Sequence, residues 1–261
     1  MLESVAMRND VSGDVAGPRV VMLRPQAAPK GAVACSECCL HGICLPCDLQ
    51  HPDLERFSEI ATIKRRIARG VALYRTGDAF DSLYAVRSGA FKSVGLSREG
   101  DEKITGFHLP GELLGMDAIN AGRHIYSAVA LEDSEVCAIP FAALERMALK
   151  VPALQHKLLR ALSGDISRDY GLMLLLGSMS AEQRLAAFLL SQSRRHQRLG
   201  FARNRFLLRM TREEIGNYLG LTLETVSRLF SRFQRDGLIS ARQREIELKL
   251  PERLRELAGH W

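Results

Sequence analysis

The chain has 261 residues, 46 % of them hydrophobic and 25 % charged, with a formal net charge of +6. That length supports a substantial core and two modest domains. No apolar run is long enough to span a membrane, and the opening MLESVAMRNDVSGDVAGP carries acids but no apolar stretch, so a transmembrane or secretory role is not expected. The basic charge is concentrated at one end: positions 181–261 hold 16 Arg and Lys against 9 Asp and Glu. A nearly neutral sensing part followed by a nucleic-acid-binding part would produce this asymmetry.

In chain order, residues 1–30 mix Gly, Pro, Asn and Asp without periodic apolar positions and read as a flexible tail. A cysteine-rich segment is expected over 31–55. Five of the six cysteines, Cys35, Cys38, Cys39, Cys44 and Cys47, fall within thirteen residues, and Cys137 stands apart. Thiolates at such spacings can turn toward one centre and hold zinc or an iron-sulfur cluster. A reducing cytosol makes disulfides the weaker option. Spacing alone leaves zinc and iron-sulfur both open, with Cys137 as a candidate fourth ligand.

Residues 56–150 are expected to form an antiparallel β-sandwich or jelly roll. Between Ile67 and Ile139, short alternating runs are punctuated by Gly77, Gly89, Gly100, Gly111 and Gly122 at intervals of eleven or twelve. After Pro140 the period becomes helical. Over 151–180, Leu159, Leu162, Ile166, Met173 and Leu176 make a coiled-coil seam interrupted at Asp169, which predicts a helix that pairs with its copy in a homodimer. Two carboxylates brought together in an apolar seam would oppose that pairing.

Residues 181–261 predict a winged helix-turn-helix. Thr211-Arg212-Glu213-Glu214 has the form of a capping box and opens a short amphipathic helix closed by Gly220. Thr222 starts a second helix, with Val226, Leu229, Phe230 and Phe233 on one face and Glu224, Thr225, Ser227 and Arg228 near the end that would meet base edges. GLISARQREIELKL then reads as two strands around a basic turn, where Arg242 and Arg244 would meet phosphates.

This order of segments, with the motifs ITGFHLPGE, RLAAFLL, EIGNYLGLTLETVSRLF and LAGH, resembles the FNR/Anr oxygen sensors of the CRP/FNR transcription-regulator superfamily from about residue 31 onward. The resemblance implies an α+β fold: a β-roll like the cyclic-nucleotide-binding jelly roll, a long dimerisation helix and a C-terminal winged helix-turn-helix. It implies an oxygen-labile [4Fe-4S] cluster on Cys35, Cys38, Cys44 and Cys137, with Cys39 and Cys47 outside the ligand set. It also implies that Glu224, Ser227 and Arg228 read TTGAT half-sites in an inverted repeat, and that the turn from Ser97 to Lys103 meets RNA polymerase. Cyclic-nucleotide control is disfavoured. Gly111-Glu112-Leu113 is present, but His124-Ile125 stands where that branch carries its phosphate-binding Arg-Ser pair. The expected protein is a cytoplasmic DNA-binding regulator, mainly an activator, and not an enzyme. A zinc- or thiol-controlled regulator on the same scaffold and an iron-sulfur electron carrier are the alternatives.

Overall fold

A computed structural model describes residues 34–259 apart from positions 41, 62, 98 and 99; the tail expected over 1–30 lies outside the described residues. The cysteine segment is a string of turns, with one 3-10 turn at Cys35–Glu37. It leads into α1 (Asp53–Ile60), which buries Leu54 and Phe57. Leu45, Leu49, Leu54 and Phe57 share a core with Leu83, Ile139, Leu144 and Leu154. The segment is thereby fixed to the rest of the chain through its leucines, with Cys35, Cys44 and Cys137 packed against the same core.

Eight strands follow: β1 (Ile63–Ile67), β2 (Ala72–Tyr74), β3 (Ser82–Ser88), β4 (Phe91–Leu96), β5 (Glu102–His108), β6 (Leu113–Leu114), β7 (Ser127–Ala130) and β8 (Ser134–Pro140). They form two antiparallel sheets ordered β1-β8-β3-β6 and β2-β7-β4-β5. Alternation drives the packing: Tyr84, Val86, Val136 and Ala138 of one sheet meet Phe91, Ala128 and Ala130 of the other in a closed core. All five punctuating glycines have positive φ. At Gly89 a Cβ would lie 2.1 Å from the Ser134 hydroxyl, so only glycine fits that turn.

After α2 (Phe141–Ala148) the long helix α3 runs Pro152–Ser178, with proline in its first turn, where the missing N–H costs nothing. The C-terminal unit contains α4 (Ala181–Arg198), β9 (Arg205–Leu207), α5 (Arg212–Leu219), α6 (Leu223–Arg235), β10 (Ile239–Arg242), β11 (Glu245–Leu248) and α7 (Pro251–Ala258). Its sheet is ordered β10-β11-β9. The wing is therefore three-stranded, because β9 pairs with β11 in addition to the two strands legible in GLISARQREIELKL.

The β-roll and the winged unit are docked through polar pairs over a shared core. Arg195 of α4 donates to both Glu112 carboxylate oxygens, at 2.9 and 2.5 Å, and to the Phe107 carbonyl at 2.5 Å. Lys92 meets Glu214 at 2.9 Å, and Arg209 meets Glu132. Asn217 of α5 closes the edge of β5, accepting from the Ile104 N–H at 2.7 Å and donating to the Glu102 carbonyl at 2.8 Å. No helix among the described residues is long and apolar enough to cross a membrane.

Candidate metal centre and nucleic-acid interface

Cys35, Cys38 and Cys44 come from the turns before α1, and Cys137 from β8, where it pairs in register with Lys64 and Ala85. All four line one cavity of about 30 Å³, together with Phe57, Ala61, Ala85, Ile139 and Arg87. The apolar walls set the electrostatics. Burial pushes the Cys44 thiol up to about 12 and Cys137 up to about 11, and raises Cys35; in each case the neighbouring cysteines add to the rise. Bare thiolates therefore repel one another in a site that solvates them poorly, which is the condition a cationic metal centre relieves. Arg87 at the rim, paired with Glu135 at 2.6 Å, lowers the Cys137 pKa and counters part of that charge.

Among the described residues no three Cys, His, Asp or Glu side chains stand close enough to hold a single metal ion. A zinc ion at about 2.3 Å from each thiolate requires sulfurs about 3.8 Å apart. The donor set fits a thiophilic centre in its chemistry, and a polynuclear one spans a wider gap than one ion. Cys39 is exposed, and Cys47 is half-buried outside the cavity walls.

The position where a cyclic nucleotide would need cationic and hydroxyl partners is taken up by the chain itself. His124 is buried, stacks on Tyr74 with 3.6 Å between ring centroids, and lies 3.7 Å from Asp117. Glu112 is engaged by Arg195. A cavity of about 460 Å³ lies beside these groups, between the β-roll, α3 and α4.

In the winged unit Thr211 accepts from the Glu214 N–H at 3.1 Å, and Glu214 accepts from the Thr211 N–H at 2.8 Å, a reciprocal cap that fixes the start of α5. Gly220 ends α5 in the left-handed conformation. A Cβ on Gly216 would lie 2.6 Å from the Leu221 carbonyl oxygen, so the turn closes only over glycine. Thr222 then caps α6 through the Thr225 N–H. Buried Val226, Phe230 and Phe233 hold α6 from below. Glu224, Ser227 and Arg228 are exposed, and Thr225 is half-buried. Arg242, the last residue of β10, and Arg244, in the turn before β11, are both exposed.

The sequence reading missed Arg184. It donates to the carbonyls of Leu176 at 2.7 Å, Met179 at 2.9 Å and Leu219 at 3.1 Å, tying the end of α3 to the end of α5. Its signal in the sequence is the arginine of RLAAFLL, the residue that follows the capping box formed by Ser180 and Gln183.

On α3, Leu159, Ile166 and Met173 are 55, 55 and 66 % exposed, and so are Tyr170 at 63 % and Leu174 at 66 %. Leu162 and Leu176 are half-buried, Leu176 against the core shared with the winged unit. Asp169 is exposed as a residue, yet partial burial raises its carboxyl pKa, with Arg168 opposing. The cysteine segment reaches this helix directly: Lys157 donates to the Cys47 sulfur at 2.6 Å and pairs with Asp48 at 3.2 Å.

A β-roll joined by a long helix to a winged unit with its reading helix uncovered defines a DNA-binding regulator. Residues 64–150 match the model of the cyclic nucleotide-binding domain, and residues 183–257 that of the Crp-like helix-turn-helix domain. The chain is 46 % identical over 241 residues to the transcriptional regulatory protein btr of Bordetella pertussis, covering 92 % of this chain and 98 % of that one. It is 47 % identical over 225 residues to the transcriptional activator protein Anr of Pseudomonas protegens, covering 86 and 92 %. To the fumarate and nitrate reduction regulatory protein of Escherichia coli K12 it is 44 % identical over 229 residues, covering 88 and 92 %. The structure of FixK2 from Bradyrhizobium japonicum superposes with a TM-score of 0.70 at 32 % identity, over 76 % of this chain and 98 % of that one. The chain belongs to the CRP/FNR superfamily of transcription regulators.

Proposed function

We propose that this regulator senses oxygen through a [4Fe-4S] cluster held by Cys35, Cys38, Cys44 and Cys137. It would work in the cytoplasm as a homodimer on TTGAT-type inverted repeats, mainly activating genes of low-oxygen metabolism through RNA polymerase. The observation that carries this reading is the gathering of these four cysteines, and neither Cys39 nor Cys47, around one apolar cavity. When bound, the cluster supplies an oxygen-labile centre whose loss reports the oxidant. The chain's own residues supply the rest. Cys47 and Asp48 connect the cysteine segment to Lys157 on α3, so a shift of that segment is felt by the helix.

The apolar stripe of Leu159, Ile166, Tyr170, Met173 and Leu174 is the surface for a second copy, and Asp169 beside it opposes pairing. Arg228 can donate two hydrogen bonds to guanine, Glu224 can accept from cytosine N4, and Ser227 or Thr225 can meet a thymine. A single-ion zinc regulator would need the sulfurs to converge further than they do. An electron carrier has no use for a recognition helix, and no catalytic step is assigned.

Single Cys→Ser replacements test the ligand set. At Cys35, Cys38, Cys44 or Cys137 a hard hydroxyl replaces a soft thiolate, and anaerobically purified protein should lose iron, sulfide and visible absorption. Cys39→Ser and Cys47→Ser should retain them. Full cluster absorbance in Cys137→Ser, or a colourless parent protein containing zinc, would overturn the assignment.

A further inference from the structure

β5 is the outer strand of its sheet, and such an edge leaves peptide groups without a strand to pair with. The side chain of Asn217, on α5, takes the place of that strand. Its Oδ1 accepts from the Ile104 N–H at 2.7 Å and its Nδ2 donates to the Glu102 carbonyl at 2.8 Å, so one carboxamide spans Lys103 as a paired backbone would. The Lys103 ammonium donates to the Asn217 main-chain carbonyl, a third bond to the same residue. The surrounding contact is apolar: Ile104 and Leu219 are buried in one core, and the Tyr218 ring lies 5.1 Å from that of Phe107. Apolar contact holds two surfaces together without fixing a direction, whereas two hydrogen bonds to strand peptide groups set position and angle. The angle needs setting, because α3 and α4 are joined through extended Met179 and Ser180. α6 follows α5 as one body, since the turn between them closes over Gly216, and Leu219, Val226 and Phe230 share a core.

We infer that Asn217 is a positioning residue: it sets the angle of the reading helix against the β-roll, and with it the half-site spacing that a dimer accepts. This rests on the inverted-repeat reading above. Two reading helices meet two half-sites together only when they stand one helical turn of DNA apart, about 34 to 36 Å. One base pair added or removed between the half-sites shifts one of them by about 3.4 Å along the axis and turns it by about 34°. A winged unit clamped to β5 does not follow that change, whereas one that swings about Met179 and Ser180 does. Asn217 reads no base, so the sequence of each half-site stays with α6.

Anaerobically purified full-length protein is titrated onto TTGAT inverted-repeat duplexes whose spacers differ by single base pairs, and onto a duplex with one half-site. The parent should favour one spacer and lose about tenfold in affinity when it changes by one base pair. Asn217→Ala should bind the favoured spacer about tenfold more weakly, because the angle is no longer fixed in advance, and lose less than about threefold when the spacer changes. Its affinity for the single half-site, and the half-site sequence it selects, should match the parent. Circular dichroism verifies the fold. Asn217→Asp, which keeps the acceptor for Ile104 but turns a carboxylate on the Glu102 carbonyl, should relax the spacing in the same direction and serves if the alanine variant does not fold. A folded variant that kept the parent's spacing preference, or that lost as much on the single half-site as on the repeat, would overturn the inference. A parent indifferent to spacing would overturn it together with the inverted-repeat reading, which separates the two failures.

Discussion

At the scale of single residues, burial decides which groups can carry charge. Cys35, Cys44 and Cys137 are costly to ionise unless something cationic joins them, which suits a ligand set and not a set of free redox thiols. His108 shows the same physics in a base. Its Nε2 lies 2.7 Å from the Ser93 hydroxyl, its Nδ1 is shielded without a partner, and burial pushes its pKa down to about 4. An unfolded histidine titrates near 6.5, so between pH 6.5 and about 4 the unfolded chain binds a proton that the folded chain refuses. The neutral-pH stability is complete above 6.5 and erodes as pH falls through that window. His108→Gln should flatten this part of the profile in urea unfolding, leaving the smaller contribution of His196, which burial also lowers. Parallel profiles for parent and variant would show that His108 is not the source.

At the scale of elements, α6 and α3 each carry a testable role. Arg228→Ala should lose roughly 1 to 3 kcal/mol of discrimination at one guanine and relax the preference there in a binding-site selection. Arg242→Ala should weaken all sequences alike and reduce the salt dependence by about one counterion. An Arg228→Ala variant that still demanded the unaltered half-site would remove Arg228 from direct readout. On α3, Asp169→Ala deletes the carboxylate beside the apolar stripe and should sediment as a dimer in air, whereas the parent should sediment as a monomer. An aerobic monomer indistinguishable from the parent would remove Asp169 as the brake.

The capping box of α5, the glycine turn and the paired wing strands were legible because each is encoded by neighbours in sequence. The turn glycines of the β-roll were legible for the same reason. Three features were not. β1 reads IKRRI, too charged to announce a strand, and is recruited by pairing with β8. β9 is only three residues long and is held by β11. The surface of α3 departs from the seven-residue spacing, because Leu176 turns into the core shared with the winged unit while Tyr170 and Leu174 face out.

At the scale of the whole molecule, the cysteine segment, β-roll, α3 and winged unit form one mechanical chain. Lys157 joins the first segment to α3, Arg184 joins the end of α3 to α5, and Arg195 with Glu112 joins the winged unit to the β-roll. None of these links was readable in the sequence, since each joins residues whose nearness only the fold creates. The Glu112 carboxyl is held below its ordinary range because the Arg195 charge and hydrogen bonds outweigh the burial that would raise it. The docking therefore persists at neutral pH and weakens only under acid. In this account the thiol cavity controls DNA binding through the oligomeric state. The most direct test is analytical sedimentation of anaerobically purified protein with an inverted-repeat duplex, before and after admission of air, with iron and sulfide measured on the same samples. The account predicts an iron- and sulfide-containing dimer on DNA that becomes a cluster-free monomer released from DNA in air. A protein that contained no iron, or that kept the same oligomeric state and DNA affinity through loss of its cluster, would contradict it.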